Sequence, residues 1–173
     1  MPKPDSVSKH YLWSSYREML IEHVFVSEVM KYAWYHDEHI EVLKPQTDDA
    51  GYDLVLGCKG IYRHVQLKTK SKDATARSVN LNIALASPDK SGCIIWIVFD
   101  PDTIELGPYL WFGDLPGQPI SNTDDLPVAK HNKANAQGQK LERPNIRKVK
   151  QSLFTPLENI DGVMHKLFGD CPS

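Results

Sequence analysis

The sequence predicts an α/β domain built on a central mixed β-sheet flanked by helices. Three stretches carry this expectation. Apolar residues recur at helical spacing over residues 16–35, an alternating pattern interrupted by glycines spans residues 52–69, and the apolar run CIIWIVF occupies residues 93–99. A run this apolar and rich in β-branched residues is typical of a strand buried on both faces. A second strand over residues 104–112 is expected to pair with it as a hairpin, and residues 157–168 predict a final helix.

Length and composition indicate one ordinary globular domain. The 173 residues, 41% of them hydrophobic, predict a single domain over residues 1–173 with one sizeable core. The three cysteines lie far apart without a CxxC pair, which argues against a zinc knuckle or a disulfide scaffold and favours a reducing compartment. No stretch has the length of a membrane span or the apolar core of a signal peptide. We therefore expect a cytoplasmic protein with no membrane partner.

The predicted hairpin carries the most informative pattern of polar residues. Its strands, 52–56 and 61–69, flank the turn-forming residues 57–60, and Asp53 stands inside the first strand. In the second strand His64, Gln66 and Lys68 occupy alternate positions, so their side chains share one face. A carboxylate, an amide and an amine near one hairpin are compatible with a metal site beside a lysine. A half-exposed sheet with a polar outer face is the alternative.

The first long helix contains acidic residues within its apolar stripe. Ser14 or Ser15 is expected to cap its N-terminus, with Glu18 as the capping-box partner. Glu22 lies in the middle of the apolar arc, where a carboxylate is costly unless it is paired or bound to a metal. Glu22 is therefore the first candidate for a site acid on this helix, and Glu18, one turn earlier on the same face, is the alternative.

Asp53 followed by Gln66-Leu67-Lys68 resembles the signature of the PD-(D/E)xK nuclease superfamily, which has the restriction-endonuclease-like fold. The family pattern is an acid on one strand and a (D/E)-x-K triplet on the next, and the present residues are similar to its QxK variant. The resemblance implies an αβββαβ core with C-terminal additions and metal-dependent hydrolysis of phosphodiester bonds, of DNA rather than RNA.

The resemblance also implies roles for individual residues. Asp53, Gln66 and a helix acid, Glu22, would hold Mg²⁺ or Mn²⁺, and Lys68 would stabilise the transition state. We expect Gln66 and Lys68 to project from the sheet face that also meets a side chain of the first helix. Gln66 departs from the commoner carboxylate, and a neutral amide oxygen is a poorer ligand for a hard cation. A nucleic-acid-binding module of the same fold with weakened catalysis is therefore the alternative function.

A basic segment, residues 129–150, predicts contact with a polyanion. It contains seven Lys or Arg residues and one acid in a chain whose net charge is −2. We expect five of these side chains to contact a sugar-phosphate backbone: Lys130, Lys133, Lys140, Arg143 and Arg147. Pro144 suits the start of a helix that would continue to about Gln151. A merely solvated loop and an acidic protein partner are the alternatives. The lack of a separate specificity domain leaves a homodimer or a recruiting partner open.

Two further pairs of residues have both a functional and a structural interpretation. Asp48 and Asp49 are candidate auxiliary metal ligands, although turn chemistry accounts for them equally well. Trp111 and Phe112 could stack on bases, but their place at the end of a predicted strand favours packing in or beside the core.

Overall fold

A computed structural model of the chain describes residues 12–47, 49–131, 133 and 138–169. In this part of the chain there are two α-helices, α1 (Ser14–Tyr35) and α2 (Ile160–Phe168). The strands of the larger sheet are β1 (Glu41–Leu43), β2 (Leu54–Cys58), β3 (Ile61–Ser71), β5 (Gly92–Phe99), β6 (Leu106–Gly113) and β9 (Thr155–Leu157). The strands of the smaller sheet are β4 (Ser78–Asn82), β7 (Val128–Lys130) and β8 (Glu142–Lys150).

The larger sheet is mixed, as the sequence predicts. Its order is β1-β2-β3-β5-β6-β9, with β3 and β5 parallel and every other neighbouring pair antiparallel. All residues of β5 are buried, which confirms the prediction of a strand covered on both faces, and β5 forms the expected hairpin with β6. Trp111 on β6 is only 3% exposed, so it packs in the core rather than offering a surface for bases.

The β2–β3 hairpin is confirmed, but its turn is shorter than predicted. Cys58 pairs with Ile61, which leaves Lys59 and Gly60 as the whole connection. Both turn residues have positive φ angles, 50° and 80°, which is the backbone of a two-residue type I′ turn. Glycine at the second position adopts this conformation without steric cost, and the strands therefore extend further towards the turn.

Helix α1 covers one face of the larger sheet through a stripe of buried residues at four-residue spacing. Ile21, Phe25, Val29 and Ala33 are buried and share a core cluster with Ile95 of β5 and with α2. The helix contains neither glycine nor proline, so nothing interrupts its backbone hydrogen bonds. The predicted serine cap is wrong, because Trp13 occupies the N-cap without a side-chain cap bond and both serines lie inside the helix.

The smaller sheet packs against the opposite face. Leu81 of β4 and Val149 of β8 are fully buried in a second core cluster with Ile94 and Trp96 of β5. The described part of the chain therefore forms three layers: the two helices, the six-stranded sheet and the three-stranded sheet. This arrangement confirms the predicted fold class, a mixed α/β domain with a central sheet.

Two local findings refine the predicted architecture. The crossover between the parallel strands β3 and β5 contains β4 and a short 3₁₀ turn over Ile83–Ala86, where the nuclease core pattern has an α-helix.

The final helix is confirmed as α2, and Gly169 follows it with a backbone N–H bonded to the His165 carbonyl. None of the described helices combines the length and apolarity needed to cross a membrane.

The predicted helix after Pro144 is wrong, because this stretch belongs to β8. Strand β8 is the middle strand of the smaller sheet, between β4 and β7. Pro144 falls where the register of β7 and β8 shifts, and it lies beyond the last residue of β8 that pairs with β4, Ile146. A proline is tolerated there because no neighbouring strand requires its missing N–H.

Candidate active site

A cleft of about 530 Å³ opens between α1 and one edge of β3. It is bordered by residues from α1, from the segment after β1, from Asp53 directly before β2, and from β3. Its polar lining residues are Glu18, Glu22, Lys44, Asp53, Lys68 and Thr69. Three of the four predicted catalytic residues, Glu22, Asp53 and Lys68, are thus brought to one cleft.

The cleft exists because β2 is shorter than its partner β3. The last pair between them joins Leu54 to Val65, whereas β3 continues to Ser71. Among the described residues, that edge of β3 has no strand beside it after this point, although β5 pairs with the other edge as far as Ser71. The exposed edge and the nearby helix enclose the cleft.

Asp53 stands at the point where the two strands separate. Its backbone N–H donates to the Val65 carbonyl at 2.9 Å, which adds one more strand-like hydrogen bond before β2. Its side-chain Oδ2 accepts a hydrogen bond from the Leu67 backbone N–H at 2.6 Å. The carboxylate therefore satisfies an N–H group on the open edge of β3, and this bond fixes its orientation towards the cleft.

The prediction that Gln66 and Lys68 share the sheet face of α1 is wrong. Their register partners on β5 are Ile94 and Trp96, which pack in the core cluster of the smaller sheet. Paired residues of neighbouring strands project to the same face, so Gln66 and Lys68 point away from α1. Lys68 still lines the cleft, because the cleft opens at the edge of β3 and side chains from either face of the sheet can border it there.

The two candidate helix acids both line the cleft. Glu22 forms an ion pair with Lys44, and its side chain is 19% exposed compared with 55% for the lysine. Glu18 lies one turn nearer the N-terminus and is exposed. Lys44 was not identified as a site residue from the sequence. Its position directly after the short strand β1 carries no pattern that points to a site.

Gln66 lies apart from the cleft lining. It is buried, with 9% of its surface exposed, and its Oε1 has no hydrogen-bond partner among the described residues. It occupies the position on β3 opposite Asp53, one residue beyond the last β2–β3 pair. Its role as a metal ligand stays a prediction.

The donor groups of the cleft fit a magnesium-type site with few protein ligands. Within the described residues no group of three or more His, Cys, Asp or Glu side chains is arranged to hold a metal ion. Mg²⁺, however, is commonly held by one or two carboxylates together with water and substrate phosphate oxygens. Asp53 and Glu22, which line the same open cleft, provide two such carboxylates.

Asp49, one of the two predicted auxiliary ligands, does not line the cleft. Asp49 accepts a hydrogen bond from the Thr47 hydroxyl at 2.6 Å in an exposed turn, which accounts for it structurally. This bond is the main reason that its pKa is lowered from the ordinary value. Asp48 lies outside the described residues.

The described residues of the basic segment, 129–131, 133 and 138–150, are largely exposed. Lys130 is the last residue of β7 and pairs with Glu142 of β8. Arg143 of β8 pairs with Ala129 of β7. Lys133 and Lys140 are also exposed, in the connection between these strands. Arg147 is half-buried, and its Nη1 donates to the Pro144 carbonyl at 2.6 Å. Four of the five predicted contact residues are therefore open to a partner.

Comparison of the chain with models of known families and with curated proteins finds no match.

Proposed function

We propose that this protein is a Mg²⁺- or Mn²⁺-dependent nuclease that hydrolyses phosphodiester bonds, of DNA in preference to RNA. The observation that carries the proposal is the cleft, in which side chains of α1 and β3 meet Asp53, the residue before β2. Glu22, Asp53 and Lys68 all line it. Asp53 and Lys68 match the strand acid and the lysine of the PD-(D/E)xK pattern, and Glu22 adds a second carboxylate where the pattern's triplet acid is replaced by Gln66.

Each residue has a distinct part in this proposal. Asp53 and Glu22 would hold the cation, which when bound would offset negative charge on the scissile phosphate. Asp53 needs little reorganisation, because the Leu67 N–H already orients its carboxylate. Lys68 carries its positive charge on the open edge of β3, where it can stabilise the charge that develops on the phosphate oxygens in the transition state.

The basic segment supports a nucleic-acid substrate. Exposed lysine and arginine side chains are the groups that most often contact phosphates. In the described residues Lys130, Lys133, Lys140 and Arg143 are exposed and form no ion pair with a carboxylate. They are therefore available to neutralise a phosphate backbone.

Cleavage assays with Lys68→Met test the proposal. The wild-type protein should cleave duplex, branched or single-stranded DNA only when Mg²⁺ or Mn²⁺ is added. Lys68→Met should abolish cleavage while DNA binding persists, since the lysine acts on charge that appears only in the transition state. Lys59→Met, in the exposed turn of the same hairpin, is the matched control and should cleave normally. A wild-type protein that is inert on every substrate with both metals would overturn the proposal.

The alternative is a nucleic-acid-binding module of the same fold with weakened catalysis. Two observations favour it: Gln66 lies outside the cleft lining, and Lys44 already neutralises Glu22. The substitution Gln66→Glu separates the two functions. If the glutamine only weakens the metal site, the variant should cleave at a lower metal concentration than wild type. Because a buried acid without its cation can destabilise the fold, thermal unfolding is measured alongside. Continued inactivity of a folded variant would favour the binding module.

A further inference from the structure

A second pocket, of about 600 Å³, lies where β4, β8 and the turn after β8 meet. All six of its lining residues are polar and none is acidic: Arg77, Ser78, Lys148, Lys150, Gln151 and Ser152. Only Lys148 and Lys150 belong to the basic segment identified from the sequence. Arg77 comes from a distant part of the chain, so the pocket as a whole could not be seen in the sequence.

Backbone hydrogen bonds hold the walls of this pocket together. Ser78 pairs with Lys150 across β4 and β8, and the Gln151 N–H donates to the Arg77 carbonyl at 2.8 Å. Lys148 and Lys150 lie on either side of the fully buried Val149. Because side chains alternate along a strand, both lysines project from the outer face of β8.

A fourth cation, Lys70, connects this pocket to the candidate active site. Its Nζ donates to Gln151 Oε1 at 3.1 Å and lies 4.6 Å from the centre of the Trp96 ring. Burial, and then the positive charge of Arg77, lower the pKa of Lys70. Lys70 follows Lys68 by two residues on β3, so the two side chains share a face about 7 Å apart along the strand.

The four positive charges lack neutralising partners within the described residues. None of Arg77, Lys148, Lys150 and Lys70 forms an ion pair with a carboxylate there. Like charges held around one pocket repel each other, and a bound anion would relieve this repulsion. The hydroxyls of Ser78 and Ser152 could in addition donate hydrogen bonds to the same anion.

We propose that this pocket binds a phosphate group of the nucleic-acid strand whose scissile phosphate lies at Lys68. The proposal rests on the nuclease function above and names a second contact for the same substrate. Phosphate suits the pocket because its several oxygens can accept bonds from an arginine fork, lysine ammonium groups and hydroxyls together. Lys70 follows Lys68 on β3 and donates to Gln151 in the pocket lining, so the pocket would anchor the strand that enters the cleft.

DNA binding by the double variant Lys148→Met/Lys150→Met tests the pocket. Both lysines are exposed, so the variant keeps the fold, which thermal unfolding verifies. We expect the affinity for a fluorescently labelled DNA oligonucleotide to fall about tenfold or more, since hydrogen bonds to charged groups are among the strong ones. The dependence of affinity on salt should become shallower by about one phosphate contact, because both lysines bind the same phosphate.

The control removes two positive charges elsewhere. Lys31→Met/Lys166→Met changes α1 and α2, on the opposite side of the larger sheet, and should leave the affinity and the salt dependence nearly unchanged. An equal loss of affinity in both double variants would show that DNA responds only to the net charge of the protein, and it would overturn the proposal. Unchanged binding by Lys148→Met/Lys150→Met would overturn it as well.

Two further measurements show whether the pocket binds a free phosphate or a DNA phosphate, and whether the pocket proposal holds independently of the nuclease proposal. Inorganic phosphate, followed by NMR shifts of the Ser78 and Gln151 amides, should bind weakly to wild type and not to the double variant. Phosphate binding without any effect of the variant on DNA affinity would assign the pocket to a small free anion and overturn the strand contact. Pocket-dependent DNA binding by a protein that never cleaves would support the pocket while the nuclease function fails.

Discussion

The substitution Lys44→Met should tighten the binding of a divalent cation in the cleft. Lys44 forms an ion pair with Glu22, so its ammonium group occupies the carboxylate that we propose as a metal ligand. A metal ion must displace this group before it can bind. The ammonium also repels a second cation. Methionine keeps most of the length of the side chain and removes both effects.

The magnitude follows from the exposure of the ion pair. Lys44 is 55% exposed, so solvent screens the interaction, and such pairs contribute at most about 1 kcal/mol. Because about 1.4 kcal/mol corresponds to a tenfold change in affinity, the Kd for Mn²⁺ should fall about two- to fivefold.

The EPR signal of free Mn²⁺ measures this Kd directly during a titration. The matched control is Lys59→Met, which removes the lysine of another ion pair, with Glu38, at the turn of the β2–β3 hairpin. That variant should bind Mn²⁺ with the wild-type Kd. If Lys44→Met leaves the Kd unchanged or weakens binding, the proposed competition between Lys44 and a metal at Glu22 is refuted.

Three further predictions concern stability, pH and the basic segment. Arg63→Met should lower the free energy of unfolding, measured in urea, by about 2–4 kcal/mol. The fully buried guanidinium donates to Ser91 and to two loop carbonyls, and all three would lose their partner. A loss below about 1 kcal/mol would contradict this stabilising role of Arg63. The pKa of His64 is lowered, first by burial and then by the charge of Lys90. As the pH drops below about 6.5, the imidazole is therefore protonated in the unfolded chain before it is protonated in the folded protein, and the free energy of unfolding should fall. His64→Phe should make that pH dependence shallower in thermal unfolding, and an unchanged curve would argue against it. Replacing Lys130, Lys133 and Arg143 together should reduce the salt dependence of DNA binding by about three contacts, whereas an unchanged slope would assign the basic segment to solvent or to a protein partner.

The elements that were predicted correctly depend on local sequence patterns. Strand β5 follows from a continuous apolar run, and α1 follows from apolar residues at helical spacing without glycine or proline. The β2–β3 hairpin follows from alternation and from the glycine in its turn. The same alternation correctly placed Gln66 and Lys68 on one face, but it could not tell which layer of the molecule covers that face.

The features that were missed depend on contacts between distant parts of the chain. Pro144 favours a helix start, and two contacts of β8 that the local sequence does not show make this proline acceptable in a strand. The register with β7 shifts there, and the pairing with β4 ends at Ile146. The pairing of Lys44 with Glu22 joins α1 to the segment after β1. The cationic pocket likewise joins Arg77 to β8. No local sequence pattern predicts such contacts between distant segments.

Calorimetric titration of the protein with Mn²⁺ tests most directly the claim that Asp53 and Glu22 form a metal site. Wild type should bind the ion in the cleft, and Asp53→Asn should lose this binding because a hard cation loses its best anionic oxygen. Asp49→Asn, an acid in an exposed turn outside the cleft lining, should bind like wild type. Equal heats for wild type and Asp53→Asn, or no binding by a folded wild-type protein, would show that Asp53 and Glu22 do not form a metal site.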